Sequence, residues 1–501
     1  MNTRPIRFFH RGQITDLASV PATRSVLDWL REDQRRTGTK EGCAEGDCGA
    51  CTVVVAELDA AGGLQLKPIN SCIQFVPTLD GKALFTVEDI SRMGTSGALH
   101  PVQASLVAHH GSQCGFCTPG FVMSLWATYE THGQADTTPT RQQLADDLSG
   151  NLCRCTGYRP ILDAGQQMFQ SPPALLQRQA VVDALKTLAA DPPLHTAEGF
   201  HAPHTLSDFA LLRQQKPQAQ LLAGSTDIGL WVTKQFRVFP ELLYLGRVAE
   251  LQNITRTPQA LHIGAAVSLH GAWQALAQHW PELMEVGLRF ASPPVRHTGT
   301  MGGNVANGSP IGDSAPVLIA LGAQIELQRG EAVRSMPLED FYTGYMQNQL
   351  QAGEFVRGLV VPLGSPAVVR AYKVSKRFDC DISALCAGLA LVVDTETPTD
   401  TDTDRGVVRS ARLAFGGMAA TVQRARGAEA ALVGQPWNEA SLRAAQAALA
   451  QDFTPLSDMR ASAAYRLQVA QNLLRRLWLE TRTDDPMPAG ATSVWAHGAV
   501  A

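Results

Sequence analysis

Eight of the ten cysteines fall before residue 156, and their spacing is that of ligands. Cys43, Cys48 and Cys51 stand as C-x4-C-x2-C in EGCAEGDCGACT, and Cys72 follows 21 positions after Cys51. Four thiolates at that spacing suit a [2Fe-2S] cluster. Gly42, Gly46 and Gly49 interleave with them. Glycine permits positive φ and close backbone approach, so amide N–H groups can aim at an anionic cluster and favour its reduced form. A four-cysteine zinc site is the alternative, although structural zinc sites usually pair two short knuckles and here three ligands share one loop.

A second set follows as Cys114-Gly-Phe-Cys117 and Cys153-Arg-Cys155, separated by 35 residues that read as helical. Each pair precedes a helix, with Pro119 and Pro160 suited to first-turn positions. Helix N-termini carry partial positive charge, so two of them aimed at one thiolate-bound cluster offset its negative charge. These two pairs alone leave zinc and iron open. With an iron-sulfur loop beside them, a second [2Fe-2S] centre is the expectation.

The composition is that of an ordinary soluble protein. At 501 residues the chain is too long for one core and suggests about three domains. Forty-two basic residues against 46 acidic, a net charge of -4, leave no footprint for nucleic acid or an anionic membrane. No run of eighteen apolar residues exists. The start, MNTRPIRFFHRG, has no apolar h-region, and Arg35-Arg36 lies inside the first folded segment. A cytoplasmic location is therefore expected, where cysteines serve ligation rather than disulfides.

The elements that must hold these thiols are legible in order. Residues 4 to 9 and 13 to 17 read as strands, Ser25 to Glu32 as a helix, Thr52 to Glu57 as a strand before a Gly62-Gly63 turn, and Cys72 as the opening of a helix-like segment at Ile73. This run resembles a plant-type ferredoxin. Further on, QCGFCTPG at Gln113 to Gly120 and GNLCRCTGYRPI at Gly150 to Ile161 resemble the xanthine oxidase family of molybdenum hydroxylases. That resemblance implies a four-helix bundle around the second cluster, with Gln113 touching the molybdopterin of a partner.

Residues 171–195, flanked by Pro172-Pro173 and Pro192-Pro193, read as a linker. Gln220 to Gly229 is a short strand and a glycine-hydroxyl turn suited to presenting amides to a pyrophosphate. With the glycine-rich string Val295 to Ala315, it resembles the family's FAD domain. The resemblance implies that Leu221, Leu222, Ala223, Gly224, Ser225, Thr226, Asp227 and Ile228 hold the diphosphate. It also implies that Phe290, Thr300, Gly303, Asn304 and Asp313 line the nucleotide site and that Lys373 contacts it. His297 is read as a packing or hydrogen-bonding residue, and no catalytic residue is assigned. Tyr345 is read as a buried ring in preference to a gate at the flavin face. Met346 stands where the family often has a basic residue, so no nicotinamide contact is carried over.

Strands are expected near Gln324 to Leu327, Glu354 to Val361 and Val407 to Phe415, with helices around Glu429 and from Ala461 to Leu477. From Arg370 the chain resembles the family's flavoprotein C-terminal domain. Its charged loop Lys376 to Asp381 lies beside the flavin face by that resemblance, or is a solvated turn. Asp394 to Arg405 reads as a Thr/Asp-rich mobile connection, and Cys380 and Cys386 as ordinary residues. The expected fold is multidomain α+β. A ferredoxin-like β-grasp domain spans 1–88, a helical [2Fe-2S] domain 89–170, a linker 171–195, an α+β FAD-binding domain 196–366, an α+β flavoprotein C-terminal domain 367–484 and a frayed tail 485–501.

Two one-electron centres and a flavin make a wire with a converter. Cluster and flavin domains exhaust the length, so substrate oxidation is expected elsewhere. The resemblance implies a larger molybdopterin-binding subunit in an α2β2 heterotetramer that hydroxylates a purine, with electrons passing through the two clusters and FAD to NAD. The alternatives are the same role for an aldehyde or N-heterocycle, an electron-transfer adaptor without NAD chemistry, and a zinc-bearing scaffold.

Overall fold

The computed structural model describes residues 3–93, 99–364, 368–394, 406–482 and 484–494. The Thr/Asp-rich stretch 395–405 and residues 495–501 of the tail lie outside the described residues. Two units form: one of Met1–Glu250, Ser268–His270 and Ala291–Thr300, the other of Leu251–Val267, Gly271–Phe290 and Met301–Ala501.

The first unit is built on a five-stranded sheet in the order Gln13–Leu17, Ile6–His10, Ala83–Phe85, Thr52–Leu58, Leu64–Asn70. Arg11 and Gly12, with φ of 55° and 84°, close the hairpin that pairs His10 with Gln13. Ala83–Phe85 runs parallel to Ile6–His10 and antiparallel to Thr52–Leu58. The run Val53, Val54, Val55, Ala56 is buried throughout because both faces are covered. Val53 and Val55 join a core with Phe8, Trp29 and Leu30, whereas Val54 and Ala56 pack with Phe121, Leu125 and Trp126 of the helical module. That module comprises Pro101–Ala108, Thr118–Gln134, Arg141–Asp147 and Arg159–Gln167.

Local details differ from the expectations. The segment after Ser25 is a short helix, Val26–Asp28, continued by a wide π-type turn, Trp29–Asp33. The segment after Cys72 turns first and becomes helical only at Val76–Leu79, where Pro77 suits a helix start. The stretch read as a linker carries a 12-residue helix, Arg178–Ala189. Its Val181, Leu185 and Leu188 recur at helical spacing and sink into the core that holds Trp126. A four-stranded sheet then follows, in the order Leu194–His195, Phe200–Ala202, Leu242–Tyr244, Gln220–Leu222.

The second unit contains an antiparallel sheet ordered Ile254–Arg256, Ala260–Gly264, Phe355–Pro362, Gln324–Arg329, Ala332–Pro337. Another antiparallel sheet is ordered Val368–Val374, Leu385–Asp394, Val407–Gly416, Gln423–Arg424. The helices Arg426–Leu432, Glu439–Asp452 and Ala463–Thr481 share its core through Leu432, Leu449 and Leu474. Among the described residues no helix is long and apolar enough to cross a membrane.

Candidate functional site

The first cysteine loop leaves its sheet-and-helix frame between residues 40 and 52 and returns as Thr52–Leu58. Cys51 and Cys72 are buried with their sulfurs 3.3 Å apart, and the Cys48 amide donates to Cys43 Sγ at 3.3 Å. Hydrogen bonds from Cys48 and then Cys72 hold the Cys43 thiol below its ordinary range, while bonds to Cys43 and Cys51 push Cys72 above it. The sulfurs thus form a chain, 48–43–72–51. Two of the glycines behave as expected, with φ of 77° at Gly46 and 70° at Gly49. Gly42 serves another need, since a Cβ there would lie 2.8 Å from Cys48 Sγ.

The second set sits at helix starts. Cys117 precedes Thr118–Gln134, and Tyr158, three residues after Cys155, caps Arg159–Gln167. Cys153 is buried, while Cys114 and Cys155 are exposed. Amides of Cys155 and Thr156 donate to Cys153 Sγ at 3.5 and 3.4 Å, and the Thr156 hydroxyl lies 3.2 Å from it. Burial, then the hydrogen bond with Cys153, pushes the Cys117 thiol up to about 12. Cys155 is likewise raised, by its hydrogen bond with Cys114. The thiols therefore pair as 117–153 and 114–155. Among the described residues no three His, Cys, Asp or Glu side chains gather as a single metal ion requires. Ligands arriving in pairs match a two-iron cluster, in which each iron takes two thiolates.

The two loops meet. The Leu152 amide, adjacent to Cys153, donates to the Cys48 carbonyl at 3.0 Å. A Cβ on Gly120 would lie 2.1 Å from the Gly49 carbonyl oxygen, so the approach there is backbone to backbone. Gln113 is exposed next to Cys114.

In the same unit, Gln220–Leu222 runs into the glycine-hydroxyl turn. Among the described residues, none of the amides from Ala223 to Asp227 donates to another protein group. A short run of unspent amides is a cradle for a diphosphate. Gly224 has no room for a side chain because a Cβ would lie 2.0 Å from the Thr298 carbonyl, so loop packing rather than ligand approach demands glycine. Ser225 is buried and spends its hydroxyl on the Ile73 carbonyl at 2.7 Å. The turn thereby rests on the residue after Cys72. At the far end of the helix Ile228–Thr233, the Thr233 hydroxyl donates to the Ala44 carbonyl at 2.8 Å and Lys234 Nζ to that of Cys43. Thr300 is buried and bridged to Ser268. His297 packs on His270 and hydrogen-bonds the Pro68 carbonyl at 3.2 Å. Burial pushes it down to about 3, so it is neutral at physiological pH, in keeping with a packing role.

In the second unit Asp313 and Lys373 are brought together, with Lys373 Nζ donating to Asp313 Oδ2 at 2.6 Å. Both are buried, and Ser383, which the sequence reading missed, completes the carboxylate at 2.6 Å from Oδ1. Removing either charge alone would leave its partner uncompensated, at a cost of about 3–5 kcal/mol. Phe290 packs on Trp273, with ring centroids 6.2 Å apart. Gly303 and Asn304 lie on the helix Met301–Asn307. Tyr345 corrects an expectation: it is 66% exposed at a hairpin tip, where Met346 adopts φ of 54°. The loop from Lys376 to Asp381 is tied down by Arg289, whose Nε donates to the Phe378 carbonyl at 3.0 Å and whose guanidinium lies 4.3 Å from that ring's centroid.

Comparison with known proteins accounts for nearly the whole chain. Residues 9–75 match the 2Fe-2S iron-sulfur cluster binding domain, and residues 86–166 match the [2Fe-2S] binding domain. Residues 195–364 match the FAD binding domain in molybdopterin dehydrogenase, and residues 370–481 the CO dehydrogenase flavoprotein C-terminal domain. Xanthine dehydrogenase of Drosophila subobscura is 32% identical over 87% of the chain. The chain belongs to the xanthine oxidase family. Aldehyde oxidase 2 of Rattus norvegicus is 28% identical over 86% of the chain. The chain spans 36% of the length of both curated relatives. Among solved structures, carbon monoxide dehydrogenase from Hydrogenophaga pseudoflava is similar at a TM-score of 0.50 and 26% identity, covering 56% of this chain and 94% of that one. The family supports two [2Fe-2S] clusters and FAD as cofactors of this chain.

Proposed function

We propose that this chain is the small, iron-sulfur and flavin subunit of a cytoplasmic xanthine dehydrogenase. Its partner is a larger molybdopterin-binding subunit that oxidises hypoxanthine and xanthine to urate, assembled with it as α2β2. The bond from the Leu152 amide to the Cys48 carbonyl carries this reading, because it joins the two cysteine loops through one hydrogen bond and a short stretch of backbone. When bound, the clusters supply one-electron and the flavin two-electron chemistry, ending in hydride transfer to NAD. Cys114, Cys117, Cys153 and Cys155 hold the cluster on the partner's side, where Gln113 reaches the molybdopterin. Cys43, Cys48, Cys51 and Cys72 hold the second in line.

The segment Leu221 to Ile228 holds the FAD diphosphate, with the unspent amides of Ala223 to Asp227 available to it, and Phe290, Thr300, Gly303, Asn304 and Asp313 line the nucleotide. Asp313 pairs with Lys373 in its buried setting, and Lys373 Nζ has further N–H donors for the cofactor. Similarity to xanthine dehydrogenases over 87% of the chain supports the purine substrate. The similarity to an aldehyde oxidase favours a second reading, the same relay serving an aldehyde or N-heterocycle.

The test is turnover by the chain with and without its co-purifying partner. The complex should reduce NAD with xanthine, and the chain alone should oxidise NADH with a dye while leaving xanthine untouched. Xanthine turnover by the chain alone would refute the subunit assignment, and NAD reduction with aldehydes but not xanthine would select the second reading.

A further inference from the structure

Asn151 lies two residues before Cys153 and is 2% exposed, yet no ligand role falls to it. Its planar amide is spent in three directions. Oδ1 accepts from the Ser124 hydroxyl at 2.6 Å, on the helix that follows Cys117. Nδ2 donates to the Gly49 carbonyl at 3.1 Å and to Thr52 Oγ1 at 3.1 Å, both on the first cysteine loop. A carbonyl can only accept, so the nitrogen must face Gly49. Thr52 Oγ1 donates in turn to the Gly49 carbonyl at 2.7 Å, closing a small network around one oxygen. That oxygen belongs to Gly49, which directly follows Cys48 on the first cysteine loop.

The backbone around it is at contact from both sides. A Cβ on Gly49 would lie 2.2 Å from the Gly150 carbonyl oxygen. We propose that Asn151 is a positioning residue that sets the separation of the two cysteine loops, and through it the rate at which one electron crosses between the clusters. This inference rests on the relay reading above. In that step one electron leaves the Cys114/Cys117/Cys153/Cys155 side and arrives at the Cys43/Cys48/Cys51/Cys72 side, with no bond made or broken and no proton moved.

Aspartate would keep the acceptor for Ser124 but lose both donors, and alanine would lose all three bonds. Either change leaves the Gly49 carbonyl to Thr52 alone, whose hydroxyl and amide donate to it at 2.7 and 3.1 Å from within the first loop, and removes the side-chain tie between the two loops. Electron transfer between two separated centres weakens as the distance between them grows, so a looser joint between the loops should slow it.

The experiment uses the full complex, reduced with dithionite, for wild type, Asn151→Ala, Asn151→Asp and Thr52→Val. Iron content, the low-temperature magnetic splitting between the two reduced clusters, and the inter-cluster rate after rapid mixing with a substoichiometric reductant are read together. The alanine and aspartate variants should keep about four irons per chain, show weakened splitting and transfer electrons between the clusters more slowly than wild type. Thr52→Val, which loses one of the three bonds, should fall between them and wild type. Full iron with wild-type splitting and rate in Asn151→Ala would overturn the proposal. Iron loss in Asn151→Ala together with an unchanged Thr52→Val would also overturn it, since the residue would then serve folding alone. A wild-type complex without two cluster signals would instead refute the relay itself.

Discussion

Cys51 and Cys72 are 1% and 2% exposed beneath Leu27 and Ile73, whereas Cys114 and Cys155 stand exposed beside rings, Phe116 and Tyr158, that are themselves 48% and 39% exposed. The first set is wrapped by a sheet covered on both faces and by the turn from Ser225 to Lys234. Among the described residues, the second leaves Cys114 and Cys155 exposed ahead of its helix starts. Two sites of one chemistry thus differ in what completes them. In the first set Cys51 and Cys72 are enclosed, and the second has an exposed glutamine and two part-exposed rings beside its exposed thiols.

The largest test of that difference compares Cys51→Ser with Cys155→Ser. Each should remove about two irons of four. In the iron-free protein, however, only Cys51→Ser should lower stability, by about 1–3 kcal/mol for a polar group placed in the core. Thermal unfolding would show this as about 2–4 °C per kcal/mol for a unit of this size. Cys155→Ser should stay within about 0.5 kcal/mol of wild type. Equal losses would erase the contrast.

Gly120→Ala tests the joint between the two sites. Alanine is better than glycine in a helix by about 1 kcal/mol, but here its Cβ would meet a backbone oxygen at 2.1 Å, and overpacking costs about 1–3 kcal/mol. A net loss of stability, with weaker magnetic splitting between the clusters, is expected in thermal unfolding and resonance spectra. A stabilised variant would mean the loops can part freely.

Cysteine spacing and the strand pattern were legible because metal ligation and pleating impose fixed intervals. The purpose of Gly42 was not, since a clash with the Cys48 sulfur exists only once the loop has folded. Nor was the covered helix Arg178–Ala189, whose apolar stripe is short and framed by prolines that read as a linker. Tyr345 was misjudged because an aromatic ring at a hairpin tip looks in sequence like one in a core. Asn151 was hidden inside a cysteine motif, and Ser383 carries no signal apart from its contact with Asp313.

A smaller effect concerns acid. Burial pushes His270 down to about 4 and His297 down to about 3, and the pair backs onto Pro68 in the strand below the first loop. Both values lie below the unfolded one near 6.5, so the unfolded chain takes up protons first. Their contribution is complete above pH 6.5 and is lost as pH falls toward 4 and then 3. The slope is at most about 1.4 kcal/mol per pH unit for each ring, less because both keep some exposure. Denaturant unfolding against pH should therefore flatten in His297→Gln, and an unchanged slope would count against the buried pair.

The most direct test of the relay is metal analysis with low-temperature resonance on the dithionite-reduced chain. The account requires about four irons, no zinc, and two distinguishable [2Fe-2S] signals that influence one another. A single paramagnetic species, or zinc in place of iron at either cysteine set, would contradict it.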